Sequence, residues 1–293
     1  MYTVIIKNKI RKFSLEEKIL KLKKRNYKNA EKILKKSKQE IKYLSNDFLM
    51  DRKICLSIKC NKIIAALETD PEKRGKEMYS IGFSYSLLGK SRTAEKYYIS
   101  AAKNGNIRAV NALGVISVNE GKYDLALKFL EHAVKLKYNP ALNSLGFLYF
   151  KMKKYDLSEK YYKESIESEP KDFGEKFYKS EAMCNLGILY EDKNNYTEAE
   201  KYFKMAYDAG LSKAAYKLGY VYSKLNKKDL SERYYLQSVT KDNNIDAMYN
   251  LAVLYNSSSK KNDAIKYFKM AADKGDIDAA YNLGDRKSTR LNS

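Results

Sequence analysis

A leucine–glycine step returns along this chain at a nearly fixed interval. Gly82, Gly114, Gly146, Gly187, Gly219 and Gly284 each follow Ile81 or a Leu, at spacings of 32, 32, 41, 32 and 65 residues. The last spacing divides into 33 and 32 if Leu251-Ala252 marks a unit whose Gly has become Ala. Such a period marks a repeat architecture, in which each unit is one supersecondary element that buries its apolar face only against neighbours.

Two faces recur within each period. Ala109, Ala141, Ala182, Ala214, Ala247 and Ala279 stand five residues before the Gly or Ala252, and a Leu or Ile stands one before. Tyr85, Ser117, Tyr149, Tyr190, Tyr222 and Tyr255 stand three after. Steps of four place these on one face of a first helix. After a polar break, small residues follow at twelve and nineteen past the Gly, as in Ala94 and Ala101 or Ser158 and Ser165. Paired large residues lie between them at fifteen and sixteen: Tyr97-Tyr98, Phe129-Leu130, Tyr161-Tyr162, Tyr202-Phe203, Tyr234-Tyr235 and Tyr267-Phe268. This is an amphipathic second helix, so each repeat is a helical hairpin. Gly inside a helix costs about 1 kcal/mol relative to Ala, so its recurrence implies a close contact. The expectation is that Gly faces the small Ala or Ser of the second helix, while the paired aromatics fill the space between hairpins. The 27 tyrosines then read as a repeated core.

The stretch Ala271-Ala-Asp-Lys-Gly-Asp-Ile-Asp-Ala-Ala-Tyr-Asn-Leu-Gly284 resembles the junction between Sel-one-like repeats, a branch of the tetratricopeptide superfamily. Met205-Ala-Tyr-Asp-Ala-Gly210 leading into Ala214-Ala-Tyr-Lys-Leu-Gly219 is similar, and Ala101-Ala-Lys-Asn-Gly105 into Ala112-Leu-Gly114 is a looser match. The third unit ends Glu169-Pro170, more like an ordinary tetratricopeptide repeat. The resemblance implies an all-α, right-handed superhelical solenoid of helical hairpins. Its first helices would line a concave groove that holds a partner protein or peptide, and its members act as adaptors and scaffolds.

In such a solenoid the residue after the Gly points toward the groove. That set is Phe83, Val115, Phe147, Ile188, Tyr220 and Val253. Three before the Gly lie Tyr79, Asn111, Asn143, Cys184, Tyr216, Tyr249 and Tyr281. A ladder of apolar and aromatic groups suits an extended or helical peptide. Asn185, Asn250 and Asn282, two before the Gly, are placed to hydrogen-bond a peptide backbone, as Asn does there in peptide-binding relatives. Burial of several of these residues between repeats is the competing expectation.

The repeats span residues 76–284 as six units and the start of a seventh, with nine extra residues near 171–180. Phe173, Phe177 and Tyr178 there are spaced for a helix face, which predicts a hairpin lengthened by about two turns. Residues 1–12 read as a tail, and 13–75 as degenerate hairpins that cap the stack. Tyr27, Ala30, Ile33, Leu34 and Ser37 keep the second-helix pattern, while Glu17 and Lys21 stand where Leu and Tyr belong. Leu49, Ala65 and Ala66 fit a further degenerate unit. After Gly284 the pattern stops, and Asp285-Arg-Lys-Ser-Thr-Arg-Leu-Asn-Ser293 back-translates to a common sequencing-adapter sequence. Residues 285–293 are therefore expected to be non-native, with the natural chain continuing past Gly284.

Charge narrows the partner class. Residues 1–76 carry 22 Lys/Arg against 9 Asp/Glu, out of a whole-chain net charge of +21. A basic stretch can meet nucleic acid or anionic lipid. Arg, however, supplies only 9 of the 57 cations, and bidentate phosphate or base contacts favour Arg. The Lys-, Asn-, Ile- and Tyr-rich composition instead fits an AT-rich, bacterium-like coding sequence, and a protein or peptide partner is favoured over nucleic acid. Cys55, Cys60 and Cys184 form no CxxC pair, so neither a disulfide framework nor a zinc site is indicated. No apolar run suits a secretory signal or a membrane span, and a cytoplasmic setting is expected.

No Walker, Rossmann or HExxH pattern occurs, and His132, the one histidine, has no evident partner. The sequence thus points to a non-enzymatic protein-interaction scaffold that uses no cofactor or metal. Two alternatives stand beside it. One is a peptide-sensing regulator whose basic N-terminal segment contacts nucleic acid. The other is a fragment of a larger enzyme or secreted effector.

Overall fold

The computed structural model describes residues 54–291, all of whose regular structure is helical. The tail at 1–12 and most of the degenerate segment, including Tyr27 to Leu49, lie outside the described residues. Two compact units divide the chain after Leu136. The first holds α1 (Ile54–Leu67), the hairpin α2 (Pro71–Leu87) and α3 (Ser91–Lys103), and the hairpin α4 (Ile107–Asn119) and α5 (Tyr123–Lys135). The second holds α6 (Pro140–Lys151) with α7 (Tyr155–Glu167), α8 (Phe173–Asp192) with α9 (Tyr196–Asp208), and α10 (Ala214–Lys224) with α11 (Lys228–Asp242). It continues with α12 (Ile245–Ser257), α13 (Lys261–Ala272) and α14 (Ile277–Leu291).

The ends of these helices are set by a second periodic device. Seven residues after each Gly or Ala252 stands a residue in the left-handed region: Gly89, Gly121, Lys153, Asn194, Asn226 and Ser259. The next amide then reaches back to the carbonyl three past the Gly, as from Lys90 to Tyr85, Lys154 to Tyr149 and Lys227 to Tyr222, at 2.9–3.0 Å. These are Schellman-type stops, which satisfy carbonyls that the helix end leaves free. Starts are capped in turn. Asp70 accepts from Glu72 and Lys73, Asn106 from Ala109, and Asn244 from Ala247. Because Asp70 caps a helix with Pro71 at its first position, α2 begins there. The boundary read at 75/76 therefore falls inside a helix. Gly75 lies against Asn104, where a Cβ would approach its carbonyl to 2.9 Å.

The recurring Gly has a different neighbour from the one expected. A Cβ on Gly82, Gly114, Gly146, Gly187 or Gly219 would lie within 2.8 Å of Tyr98, Leu130, Tyr162, Phe203 or Tyr235 respectively. The residue it accommodates is thus the large one sixteen positions on, seated within its own hairpin. The small residue twelve on does a separate job. Where it is Ser, its hydroxyl donates across the hairpin to the glycine carbonyl, Ser158 to Gly146 and Ser231 to Gly219, both at 2.8 Å. In four of the large pairs the other member stacks within its hairpin, and Tyr234 also meets Tyr207 of the preceding one. Tyr85 stacks on Tyr97, Tyr149 on Tyr161, Tyr190 on Tyr202 and Tyr222 on Tyr234, with centroids 5.3–5.5 Å apart. The aromatics therefore close the hairpin and also pack toward the next one, since Tyr98, Tyr162 and Tyr235 share clusters with Leu113, Leu186 and Leu251 of the following first helix.

The extra residues before Gly187 lengthen α8, which has 20 residues against 12 in α6. Asp172 caps its start, and Asn139 and Lys171 tie the preceding loop to residues 137–169 through the carbonyls of Glu169 and Lys137. In α1, Ile58 and Ala65 pack against Ile81 of α2, while Ala66 faces out. α14 runs on to Leu291 through the residues that break the repeat pattern.

Two opposing substitutions test this account by urea unfolding. Gly146→Ala gains about 1 kcal/mol of helix propensity but drives a methyl into a ring that is 1% exposed. Overpacking of this kind costs about 1–3 kcal/mol, so a net loss of up to about 2 kcal/mol is expected. Lys153→Gly relieves a left-handed residue at φ 58°. That conformation costs about 1–2 kcal/mol, against about 0.5–1 kcal/mol of added chain entropy, so a gain of about 0.5–1 kcal/mol is expected.

Candidate functional site

In the second unit the first helices α6, α8, α10 and α12 form a connected layer through their side chains. Asn185 Nδ2 donates to Asn143 Oδ1 at 3.0 Å, which joins α8 to α6. Lys217 pairs with Glu191 at 3.1 Å, and Lys213, just before α10, pairs with Glu181, so α8 is also joined to α10. Asn250 Nδ2 donates to the Tyr216 hydroxyl at 3.4 Å, from α12 to α10. Asn185 and Asn250 thus each direct an amide N–H at a neighbouring first helix.

The remaining candidates separate by exposure. Phe83 in the first unit and Val253 and Tyr281 in the second are the open ones, at 41%, 43% and 75%. Val115, Phe147, Ile188 and Tyr220 are half-buried. Asn111 and Asn143 are buried, at 6% and 9%, within the helix packing. Tyr79, Tyr216 and Tyr249 are half-buried because each ring leans on the large residue that fills its own hairpin: Tyr98, Tyr235 and Phe268, at 5.5, 6.1 and 5.7 Å. Cys184 is a packed residue of α8, and burial pushes its thiol up to about 11.

The candidate aromatic residues carry cations. Lys151 Nζ lies 5.5 Å from the Phe147 centroid, Lys224 Nζ 5.2 Å from that of Tyr220, and Lys217 Nζ 6.0 Å from that of Tyr216. Such contacts contribute about 0.5–1 kcal/mol when exposed. Across this face an apolar or aromatic group alternates with an ammonium group. Among the described residues no cluster of three or more His, Cys, Asp or Glu is placed to hold a metal ion. No described helix is long and apolar enough to cross a membrane.

One set of residues was missed from the sequence. The Tyr three past Gly187, Gly219 and Ala252 turns its hydroxyl to a Glu on the second helix of the preceding repeat: Tyr190 to Glu159, Tyr222 to Glu200 and Tyr255 to Glu232, at 2.8, 3.1 and 2.9 Å. A lysine closes each group, Lys193, Lys227 and Lys260, at 3.4, 2.9 and 3.3 Å from the same carboxylates. The signal was available, since Glu159, Glu200 and Glu232 all stand thirteen past a Gly. Burial raises the Glu159 carboxyl, but hydrogen bonds from Lys163 and Tyr190 and the Lys163 charge outweigh it, and the net is below the usual carboxylate range. Burial and then the Glu159 bond push Tyr190 up to about 12. Burial first, with Glu200 or Glu232 adding to it, also raises Tyr222 and Tyr255.

The tetratricopeptide repeat family matches residues 107–140, 138–210 and 212–244, and the Sel1 repeat family matches 75–106 and 245–276. The chain belongs to the tetratricopeptide repeat superfamily and carries both repeat types. The stretch around Gly219, which resembles a Sel-one junction, falls in a tetratricopeptide match. No curated protein sequence matches the chain. Among solved structures it is similar to a chain of the APC/C hetero-tetramer Cut9–Hcn1, with 15% identity and TM-score 0.59, over 84% of this chain and 46% of that one. It is similar to PilF of Pseudomonas aeruginosa, at 16% identity and TM-score 0.59, over 73% and 99%. A tetratricopeptide repeat protein of Parabacteroides merdae is alike at 17% identity and TM-score 0.55, over 85% and 98%. This chain thus spans less than half the length of the Cut9–Hcn1 chain. At these identities the likeness shows the all-α helical-hairpin fold.

The junction chemistry sets a pH window. A tyrosine whose folded pKa exceeds its ordinary value of about 10 holds its proton more tightly when folded. Its contribution to stability is complete below pH 10 and is lost as pH rises through the folded pKa. Glu159 has the opposite sign: its contribution is present above the ordinary carboxylate pKa and lost as pH falls through its depressed value. Tyrosinate absorbance followed with circular dichroism is expected to show Tyr190, Tyr222 and Tyr255 titrating above the ordinary tyrosine value of about 10, together with the loss of helicity. Glu159→Gln is expected to diminish the acid loss of stability below pH 4.5.

Proposed function

We propose that this chain is a non-enzymatic protein-interaction scaffold, in which the first-helix layer of residues 137–291 holds a partner protein or peptide. The observation that carries the reading is the run of Phe147, Ile188, Tyr220 and Val253, each one past its repeat position on successive first helices and none of them fully buried. The side chains that must stay fixed for a rigid surface are already engaged laterally, Asn185 with Asn143 and Asn250 with Tyr216. A rigid surface binds with less ordering cost than a mobile one. Aromatic anchors backed by a fixed scaffold are the groups that dominate protein interfaces. In the first unit Phe83 and Val115 hold the equivalent places, with Tyr79 beside them. Asn111 and Asn143 act as packing residues that position this surface. The absence of a disulfide framework in the sequence suits a reducing, cytoplasmic setting.

Affinity capture from the native host tests the assignment. Phe147→Ala with Tyr220→Ala and Val253→Ala is expected to lower partner recovery roughly tenfold or more, while helical circular dichroism stays unchanged. Lys135→Ala, on a second helix, is expected to leave recovery intact. An unchanged capture profile for the triple variant removes these residues from the site.

A further inference from the structure

In the second unit the outermost line of each second helix carries charge in a fixed order. Positions ten, fourteen, seventeen and twenty-one past the Gly or Ala252 share one face, opposite the buried positions at twelve, sixteen and nineteen. At fourteen stand Lys160, Lys201, Arg233 and Lys266, all exposed, on α7, α9, α11 and α13. At seventeen stand Lys163, Lys204 and Lys269, with Leu236 on α11. Acids keep to the two ends of the line: Asp156 and Asp229 at ten, and Glu167, Asp208 and Asp273 at twenty-one. A belt of cations therefore crosses four successive second helices between two acidic margins. At about 1.5 Å of rise per residue, the margins lie about 16 Å apart along each helix.

The chain itself neutralises little of this belt. Among the described residues, Lys160, Lys204, Arg233, Lys266 and Lys269 have no carboxylate within ion-pair distance. Lys163 pairs with Glu159 and Lys201 with Glu198, at 2.8 and 3.4 Å. The glutamates at thirteen, each adjacent in sequence to a belt cation, are turned away into the tyrosine junctions. In the first unit Lys96 and Lys128 keep the place at fourteen, but Ile99 and Glu131 follow at seventeen, so the double row belongs to the second unit.

The surroundings of the belt select among anions. A broad anionic surface such as a lipid bilayer would press like charge against both acidic margins. Single-stranded nucleic acid is held by rings with open faces on which bases stack, and the rings beside the belt are taken. Tyr161, Tyr202, Tyr234 and Tyr267 lie against the tyrosines of their own hairpins. Lys160, Lys201 and Lys266 also lie 5.1–5.7 Å from the centroids of three of them. An extended polypeptide is narrow and turns every second side chain to one side, so a segment rich in Glu or Asp sets a line of carboxylates along the belt. We propose that the belt is a second interaction surface, which holds an acidic, extended polypeptide segment across α7, α9, α11 and α13. It is separate from the first-helix layer and does not depend on the reading given to that layer.

Lysine acetylation of the full 293-residue chain, mapped residue by residue, tests the proposal with three probes. These are a polyglutamate peptide of about 16 residues, long enough at about 3.3 Å per residue to cross four helices, an oligothymidylate of equal length, and phosphatidylserine vesicles. The peptide is expected to slow acetylation of Lys160, Lys204, Lys266 and Lys269 about fivefold or more at low salt, and about 0.5 M salt is expected to remove the effect by screening. Lys228 and Lys261, on the same helices but off the outer line, are expected to stay unprotected. Lys204→Glu with Arg233→Glu is expected to weaken peptide protection of Lys160 and Lys269 about tenfold, as the loss of several exposed charge pairs predicts. Lys228→Glu with Lys261→Glu makes the same change in net charge and is expected to leave that protection intact. Protection no greater at the belt than at Lys228 and Lys261 overturns the proposal, as does protection that survives the belt variant. A belt covered by the oligonucleotide or the vesicles at lower concentration than by the peptide overturns it as well.

Discussion

In five repeats the glycine carries a large side chain, a ring in four of them, in the place where a methyl would be. A helix of this length tolerates Gly at a cost of about 1 kcal/mol in propensity, and here the missing Cβ lets Tyr98, Leu130, Tyr162, Phe203 or Tyr235 seat directly on the opposing backbone. Much of the hairpin geometry follows from that contact. With the large residue seated on the Gly, its sequence neighbour lies beside the tyrosine three past the Gly and stacks on it. The helix then ends four residues further on, at the left-handed stop. In the sixth unit Ala252 stands at the Gly position and is fully buried in the same cluster as Phe268, so the contact there includes a methyl.

Two kinds of bond then join hairpin to hairpin within the second unit. On one side the tyrosine–glutamate–lysine groups fix each second helix to the first helix that follows. On the other, Asn143, Asn185, Tyr216 and Asn250, with the pairs at Glu181 and Glu191, fix first helices to one another. Isolated exposed ion pairs contribute little, but these carboxylates are largely covered and each accepts from more than one donor. The result is a scaffold whose outward first-helix residues are held by partners on both flanks. That rigidity, together with the aromatic and lysine surface, is the physical basis for reading the layer as a place to bind.

Much of this was legible in the residues. The period, the two helix faces, the family and the extension before Gly187 all follow from offsets that repeat in several units. The contact partner of the Gly did not, because the small residue at twelve and the large one at sixteen lie on the same helix face. Sequence spacing does not say which of them lies opposite. The repeat offsets carry no cap, so the helix start that Asp70-Pro71 gives to α2 is not legible from them. The glutamates at thirteen were passed over because a charged residue on a second helix looks like solvated surface until a neighbouring tyrosine and lysine are seen beside it.

By itself the sequence determined that this chain forms helical hairpins with a common core, since periodic apolar positions dictate which helix faces must be buried. It also nominated the residues one past each Gly as the outward set. Tertiary structure decided how those candidates divide. Asn111 and Asn143 lie inside the packing and Phe83 and Val253 outside it, a difference set by which neighbouring helix covers them and invisible to periodicity.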